Sequence, residues 1–234
     1  MELPKYKIAL IVGAGEGLSA SLARLFAREG ISVALAARKI EKLGALCTET
    51  GARAFACNAT EAGEVERLFG MVEREIGTPD IVVYNASGRA RGAFTDLVPA
   101  DVAQAIAVSA FGGFLVAQQA ATAHAAQQAR RDPVHRRFRQ RQGLSAVGAV
   151  RDGQVRAARA GPEHGARIVA AGHSRRAFRH RRRHPQRGAR TEPADRPDSM
   201  LDPDAIALSY WNVLQQPRSA WTWEVELRPW VEKF

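Results

Sequence analysis

Three glycines spaced two apart, Gly13, Gly15 and Gly17, mark the stretch with the clearest chemical potential. They follow a short apolar run containing Ile8, Leu10, Ile11 and Val12. They precede a helical pattern in which Leu18, Leu22, Leu25 and Phe26 share one face. A strand that turns on glycines into a helix N-terminus offers free backbone N–H groups and the positive end of the helix dipole to an anion. The missing side chains let a diphosphate come close. A tight turn that binds nothing has the same pattern, because a lone G-x-G is degenerate.

A second apolar run, residues 31–37, ends at Ala37 and is followed by Arg38 and Lys39. A carboxylate at this point would hold the ribose hydroxyls of NAD. Arg38 would instead pair with a 2′-phosphate through two hydrogen bonds. This favours NADP, with NAD the less suited cofactor. The alternative is that Arg38 and Lys39 cap a strand end in solvent. Glu16 weighs against phosphate, since it brings negative charge into the turn.

The elements needed to position such a site alternate. Strands are expected over 8–12, 31–37, 52–57 and 81–84, and helices over 18–30, 40–46, 61–76 and 99–120. In the third helix Val65, Leu68, Phe69, Val72 and Ile76 recur at helical spacing. In the fourth, Val102, Ile106, Phe114 and Leu115 form the expected apolar side. Strands alternating with helices predict an α/β fold, a doubly wound parallel sheet covered on both faces. After Glu192 a helix is expected over 204–214 and a strand over 220–227.

Between these parts the composition changes. Residues 122–190 hold 18 Arg, no Lys and three acids, Asp132, Asp152 and Glu163, for a net charge of +15. The rest of the chain holds 16 basic and 21 acidic residues, for a net −5. The overall charge of +10 therefore describes an insert and not the whole chain. Only nine of the 69 residues in the insert are Val, Ile, Leu or Phe, too few to offset the entropy of ordering it. The expected domains are thus 1–121, a nucleotide-binding half; 122–190, an irregular or disordered Arg-rich segment; and 191–234, the last helix and strand of the same domain. Cys47 and Cys57 read as buried apolar residues and not as a disulfide. The opening residues lack the apolar core of a secretory signal, and no run reads as long enough to span a bilayer. A cytoplasmic protein is expected.

The first 120 residues resemble the short-chain dehydrogenase/reductase family, whose fold is Rossmann-type. The turn from Gly13 to Ser19 is similar to the family's glycine signature, with Ser19 where a glycine is usual. Asn58-Ala59 stands at its adenine-contacting Asp-Val pair. Asn85-Ala86-Ser87-Gly88 resembles its N-N-A-G motif, and Val108-Ser109 replaces its Val-Asn. The tail resembles a divergent subgroup. The resemblance implies cofactor contacts from Gly13, Gly15, Glu16, Gly17, Leu18, Arg38, Lys39, Asn58, Ala59, Asn85, Ala86 and Ser87. It implies hydride transfer between NADP(H) and a small carbonyl or alcohol, in a protein that forms oligomers. It also implies a catalytic Ser and a Tyr-x-x-x-Lys pair in the remaining third. Residues 121–190 contain neither Tyr nor Lys, and Ser145 and Ser174 have no such partners. The catalytic residues are therefore unassigned, and impaired turnover is expected.

The Arg-rich block has the composition of a GC-rich gene read out of frame. Permitted codons for residues 132–142, read one nucleotide later, give ILFTGASASV, a strand followed by the family's serine motif. The same shift permits PFAMGKF over 149–155 and LAQSMARELSPPGIHVAHFVI over 161–181. Third bases are free, but the other two constrain every recovered residue. One indel near residues 120–122 and a second near Arg190 would account for the block. The recovered frame carries Phe where the family's Tyr belongs. Two other classes stay open: a non-catalytic nucleotide-binding protein and an Arg-rich nucleic-acid-binding protein. Against the latter, the block offers only Phe138 and Phe178 for stacking. His180 and His184 have helical ligand spacing but no neighbouring carboxylate, so no metal is expected. Trp211, Trp221, Trp223 and Trp230 read as core or subunit-contact residues.

Overall fold

The computed structural model describes residues 6–131, 150–151, 154–155, 167–170 and 200–217, with positions 220, 222, 225, 227, 229 and 230. The chain divides into two compact units: Tyr6–Gly172, and His173–Phe234 with Met1–Lys5.

The first unit is built from alternating strands and helices. They run β1 (Ile8–Val12), α1 (Leu18–Arg28), β2 (Ser32–Ala37), a 3-10 turn (Ile40–Leu43), α2 (Gly44–Thr50), β3 (Arg53–Ala56), α3 (Ala62–Glu75) and β4 (Ile81–Tyr84). A long helix follows in three parts: α4 (Pro99–Ile106), a π-helical turn (Ala107–Phe111) and α5 (Gly112–Arg131). A two-stranded antiparallel ribbon pairs β5 (Val150–Arg151) with β6 (Gln154–Val155), and β7 is Arg167–Ala170. The main sheet has the order β3-β2-β1-β4-β7, and every pairing in it is parallel.

Alternation along the strands fixes what covers each face. Leu10, Val12, Ala34, Ala36, Val82 and Tyr84 join one core cluster with Val65, Leu68 and Val72 of α3 and Leu115, Val116 and Ala120 of α5. The intervening residues Ala9, Ile11, Val33, Leu35, Ile81 and Val83 are also fully or nearly fully buried. They face the layer that contains α1, whose Leu22, Leu25 and Phe26 are buried in turn. A sheet apolar on both faces is what near-continuous runs such as IALIV and IVVY require. At the start of β1 the Asp80 carboxylate accepts from the N–H groups of Lys7 (2.8 Å) and Ile8 (3.1 Å), which ties β1 to β4.

Several expectations need correction. The fourth helix does not stop at Ala120 but continues to Arg131, ten residues into the Arg-rich block. Ala and Gln are good helix formers, and their propensity carries the helix past the end of its apolar stripe. Its apolar side is only partly the one expected: Leu115 is buried as expected, but Ile106 and Phe114 are not. Ile106 is 55% exposed and Phe114 39% exposed, while Leu115, Val116 and Ala120 are buried. The π turn adds a residue to the helix and swings the following side chains by about 100°. Residues 99–127 are also long and apolar enough to cross a membrane by length and composition, contrary to expectation. Their buried face nevertheless packs on the sheet. The sheet gains a fifth strand, β7, from within the block. Cys47 and Cys57 are both free, and only Cys57 is buried.

In the second unit α6 spans Pro203–Leu214. Its N-cap Asp202 accepts from the N–H groups of Asp204 and Ala205, both at 3.1 Å, and Pro203 occupies the first turn. The strand expected over 220–227 is absent at its described positions, Ala220, Thr222, Val225 and Leu227. The Gln216 side chain takes the Thr222 N–H and also donates to its hydroxyl, both at 2.6 Å, so the Thr222 N–H is taken by a side chain and not by a ladder. Trp230 is 68% exposed and is not a core residue. Trp221, Trp223, Ser145, Ser174, Phe138, Phe178, His180 and His184 lie outside the described residues.

His124 of α5 is buried, with Nε2 2.6 Å from the Pro79 carbonyl. A carbonyl only accepts, so Nε2 carries the proton. Burial lowers the pKa of His124, against smaller opposing effects of the Pro79 bond and Asp80. A base whose pKa is depressed by folding takes up its proton more readily in the unfolded chain, so stability falls as pH drops below about 6.5. An NMR titration of the six histidines should place His124 below that value, with the thermal midpoint declining over the same range.

Candidate functional site

The site lies where the chain reverses direction across the sheet. From β1 it moves outward through β2 and β3, then crosses back to place β4 on the other side of β1. The crevice beyond the carboxyl ends of β1 and β4 is the switch point at which open α/β sheets bind ligands.

Gly13 turns the chain there with φ +87°. Its N–H and that of Ala14 both donate to the Ala36 carbonyl, at 2.9 and 3.0 Å. A Cβ on Gly13 would lie 2.7 Å from the Ala86 Cβ and closer still to its backbone. Gly15 and Gly17 are different. A Cβ on either meets nothing within 4 Å. Their missing side chains leave open space beside the N-terminus of α1, where the first N–H groups have no intrahelical acceptor. The N-cap, Gly17, has no side chain to cover them.

A short relay links this turn to β4. The Ser19 hydroxyl donates to the Gly13 carbonyl (3.2 Å), and the Asn85 side-chain amide donates to the Ser19 hydroxyl (2.8 Å). The Asn85 N–H donates to the Val12 carbonyl at 2.8 Å. Ser19 is almost wholly buried. The relay brings together Gly13, Asn85 and Ala86 of the expected residues, with Leu18 half-buried beside Ser19 and Ser87 exposed.

Arg38 and Lys39 are exposed just beyond β2, two strand positions past the carbonyl that anchors the glycine turn. Neither has an acidic partner among the described residues. Glu16 is also exposed. Asn58 lies beyond β3, and its Oδ1 accepts from the Thr60 hydroxyl at 3.0 Å while its N–H donates to Glu64 at 2.6 Å. Asn58 thus braces the entrance to α3, with Ala59 buried behind it.

Residues outside the expected cofactor contacts complete the crevice wall, among them Ser109 and Gly88 of the two motifs noted in the sequence. The Tyr84 hydroxyl donates to the Val108 carbonyl in the π turn. Ser109 Oγ accepts from the Gly88 N–H at 2.9 Å. A Cβ on Gly112 would lie 2.8 Å from the Ala59 carbonyl oxygen and closer to the Tyr84 hydroxyl. The available signals were weak: a Tyr at the last strand position and a Gly-Gly pair inside a helical stretch.

The described groups do not supply a proton donor of the expected kind. Burial raises the pKa of Tyr84, with a further increase from Cys57, and burial raises Tyr210 as well. A tyrosine serving as general acid near neutral pH needs the opposite shift. Burial pushes the Cys57 thiol up to about 11, helped by Glu64 and opposed by Arg67, so it is not a thiolate nucleophile. No cluster of three metal-ligating side chains occurs among the described residues.

A parallel sheet of this order, wrapped by helices and carrying a glycine turn at its switch point, defines a Rossmann-type fold. Residues 7–130 match the family model described as short chain dehydrogenase, and the chain belongs to that family of nicotinamide-dependent oxidoreductases. It is 33% identical over 118 residues to D-threitol dehydrogenase of Mycolicibacterium smegmatis, covering 48% of this chain and 45% of that protein. It is 32% identical over 117 residues to the mitochondrial borneol dehydrogenase of Lavandula x intermedia, covering 49% and 45%. Among solved structures, a short-chain type dehydrogenase/reductase from Mycobacterium marinum matches with TM-score 0.49 and 31% identity over 52% of this chain and 51% of that one. The chain spans less than half the length of these curated relatives.

The two kinds of glycine should respond differently to alanine. Gly13→Ala sets a Cβ against the Ala86 backbone at positive φ and should cost about 2 kcal/mol or more of unfolding free energy. Gly15→Ala should change stability by less than about 0.5 kcal/mol. Urea denaturation of the two variants checks the contrast.

Proposed function

We propose that this chain binds NADP(H) in the crevice between β1 and β4 and that its turnover is impaired. Gly13 to Leu18 would cradle the diphosphate, Arg38 and Lys39 the 2′-phosphate, Asn58 and Ala59 the adenine side, and Asn85 to Ser87 the wall opposite. The observation that carries this is the open space at Gly15 and Gly17 beside the uncapped start of α1. The donor set fits: backbone N–H groups at a helix N-terminus suit a diphosphate, and an unpaired guanidinium suits a phosphate monoester.

Bound NADP(H) supplies or accepts a hydride, and the substrate class would be a small carbonyl or alcohol. The chain's own residues bind and orient the dinucleotide, but the proton has no evident carrier. Lys is absent between Lys42 and Lys233, so no Tyr-x-x-x-Lys pair exists in the catalytic third. Tyr84 is committed to the Val108 carbonyl.

The same account covers the Arg-rich block as a frame-shifted segment. Its support is the recovered strand, serine motif and helix in the neighbouring reading frame. Sequencing the coding DNA should reveal compensating indels near residues 120–122 and 190. An in-frame relative carrying the same Arg-rich block would refute it.

Calorimetric titration tests the cofactor. NADPH should bind more tightly than NADH. Arg38→Ala should weaken NADPH by tenfold or more, the worth of about 1.5–3 kcal/mol for charge-assisted hydrogen bonds, and leave NADH nearly unchanged. Tighter binding of NADH would overturn the role of Arg38. Robust turnover of carbonyl substrates would overturn the impairment.

A further inference from the structure

A π turn in a helix is rare and needs something to hold it. Here the Gly112 N–H donates to the carbonyl of Ala107, five residues back. In an α-helix that N–H would take the Val108 carbonyl. The freed carbonyl instead receives the hydroxyl of Tyr84, the last residue of β4. Tyr84 is buried at the carboxyl end of the strand that forms one wall of the crevice. Gly112 leaves room for this contact, since a Cβ there would overlap the Tyr84 hydroxyl.

The residue after Val108 completes a loop of contacts. A helical serine ordinarily returns its hydroxyl to the carbonyl three or four residues back. Ser109 reaches across to Gly88 instead, accepting from its N–H at 2.9 Å and lying 3.4 Å from its carbonyl oxygen. The two segments touch at this point. A Cβ on Gly88 would lie 2.6 Å from the Cα of Ala105. Gly88 follows directly on Asn85, Ala86 and Ser87, so whatever fixes Gly88 fixes the outer end of the crevice wall.

We infer that the Tyr84 hydroxyl is a positioning group for the dinucleotide site: it holds the π turn, and the π turn carries Ser109 onto Gly88. This rests on the dinucleotide reading above. The strand end and the loop that continues it are thereby braced twice against the same helix, once through Tyr84 and once through Ser109. The ring of Tyr84 fills the core, while its hydroxyl sets the shape of the site. Tyr84→Phe separates the two roles.

The experiment uses the full-length chain with Tyr84→Phe, Ser109→Ala, the double variant, and Val72→Ala as a core variant remote from the loop. Two quantities are read: amide hydrogen exchange at Gly88, and NADPH affinity by calorimetry. Tyr84→Phe and Ser109→Ala should each speed Gly88 exchange about tenfold or more, and each should weaken NADPH roughly five-fold. The double variant should bind no worse than Ser109→Ala alone, because the two groups act in series. Val72→Ala should lower the thermal midpoint without singling out Gly88. Unchanged Gly88 exchange in Tyr84→Phe would overturn the inference, as would affinity losses that simply add. A wild-type chain that binds neither NADPH nor NADH would overturn the dinucleotide reading instead, and the exchange data would still decide whether Tyr84 holds the turn.

Discussion

No side chain fits between the backbone of Gly13 and that of Ala86. This close approach is the constraint on which the switch point depends. It lets the turn after β1 and the turn after β4 lie against each other, and it requires a residue without Cβ at positive φ. The Asn85–Ser19–Gly13 relay then locks the two turns with side-chain hydrogen bonds. Once both are fixed, the start of α1 has a defined direction, and its free N–H groups face space that Gly15 and Gly17 leave empty.

The two ends of the crevice are finished to different degrees. On the β1 side the backbone donors, the open glycines and Arg38, which has no acidic partner among the described residues, are the set proposed to hold a phosphorylated dinucleotide. On the β4 side the wall is braced by Tyr84 and Ser109, but Tyr84 and Tyr210 are shifted away from proton transfer. The third of the chain that would carry the family's chemistry lacks both Tyr and Lys. Under the proposed function, binding and catalysis are separable, with the binding half resting on contacts among residues 8–116. The exposed Phe111 and Phe114, stacked with ring centroids 6.3 Å apart, lie on the solvent side of the helix that backs this half.

Much of this half was legible in the sequence because its signals are local. The runs IALIV and IVVY, the spacing of Val65, Leu68, Phe69 and Val72, and the glycine turn predict β1, β4, α3 and the turn into α1 to within a residue or two. The π turn was not legible. A single 3.6 period runs on through it unbroken, whereas a π turn shifts the phase of the residues that follow. Phe114, beyond the turn, is exposed where the spacing predicts burial, and Ile106, before it, lies in a helix segment with no buried residue. In the sequence Ser19 is only a departure from a glycine pattern, whereas in the structure its hydroxyl links the two turns of the site. Contacts between residues 66 positions apart leave no periodic trace. The fifth strand, β7, was missed for a related reason: RIVA is four residues among arginines, and its strand character comes from pairing with β4.

The central claim is that the space beside Gly15 is the seat of a dinucleotide diphosphate. The most direct measurement is the NADPH-induced rise in thermal midpoint of the full chain, compared with that of Gly15→Leu. A ligand that binds only the folded state raises the midpoint in proportion to its occupancy of the site. The account predicts a clear, concentration-dependent rise for the wild type and none for Gly15→Leu, with equal midpoints in the absence of nucleotide. An equal rise in both proteins, or none in either, would contradict it.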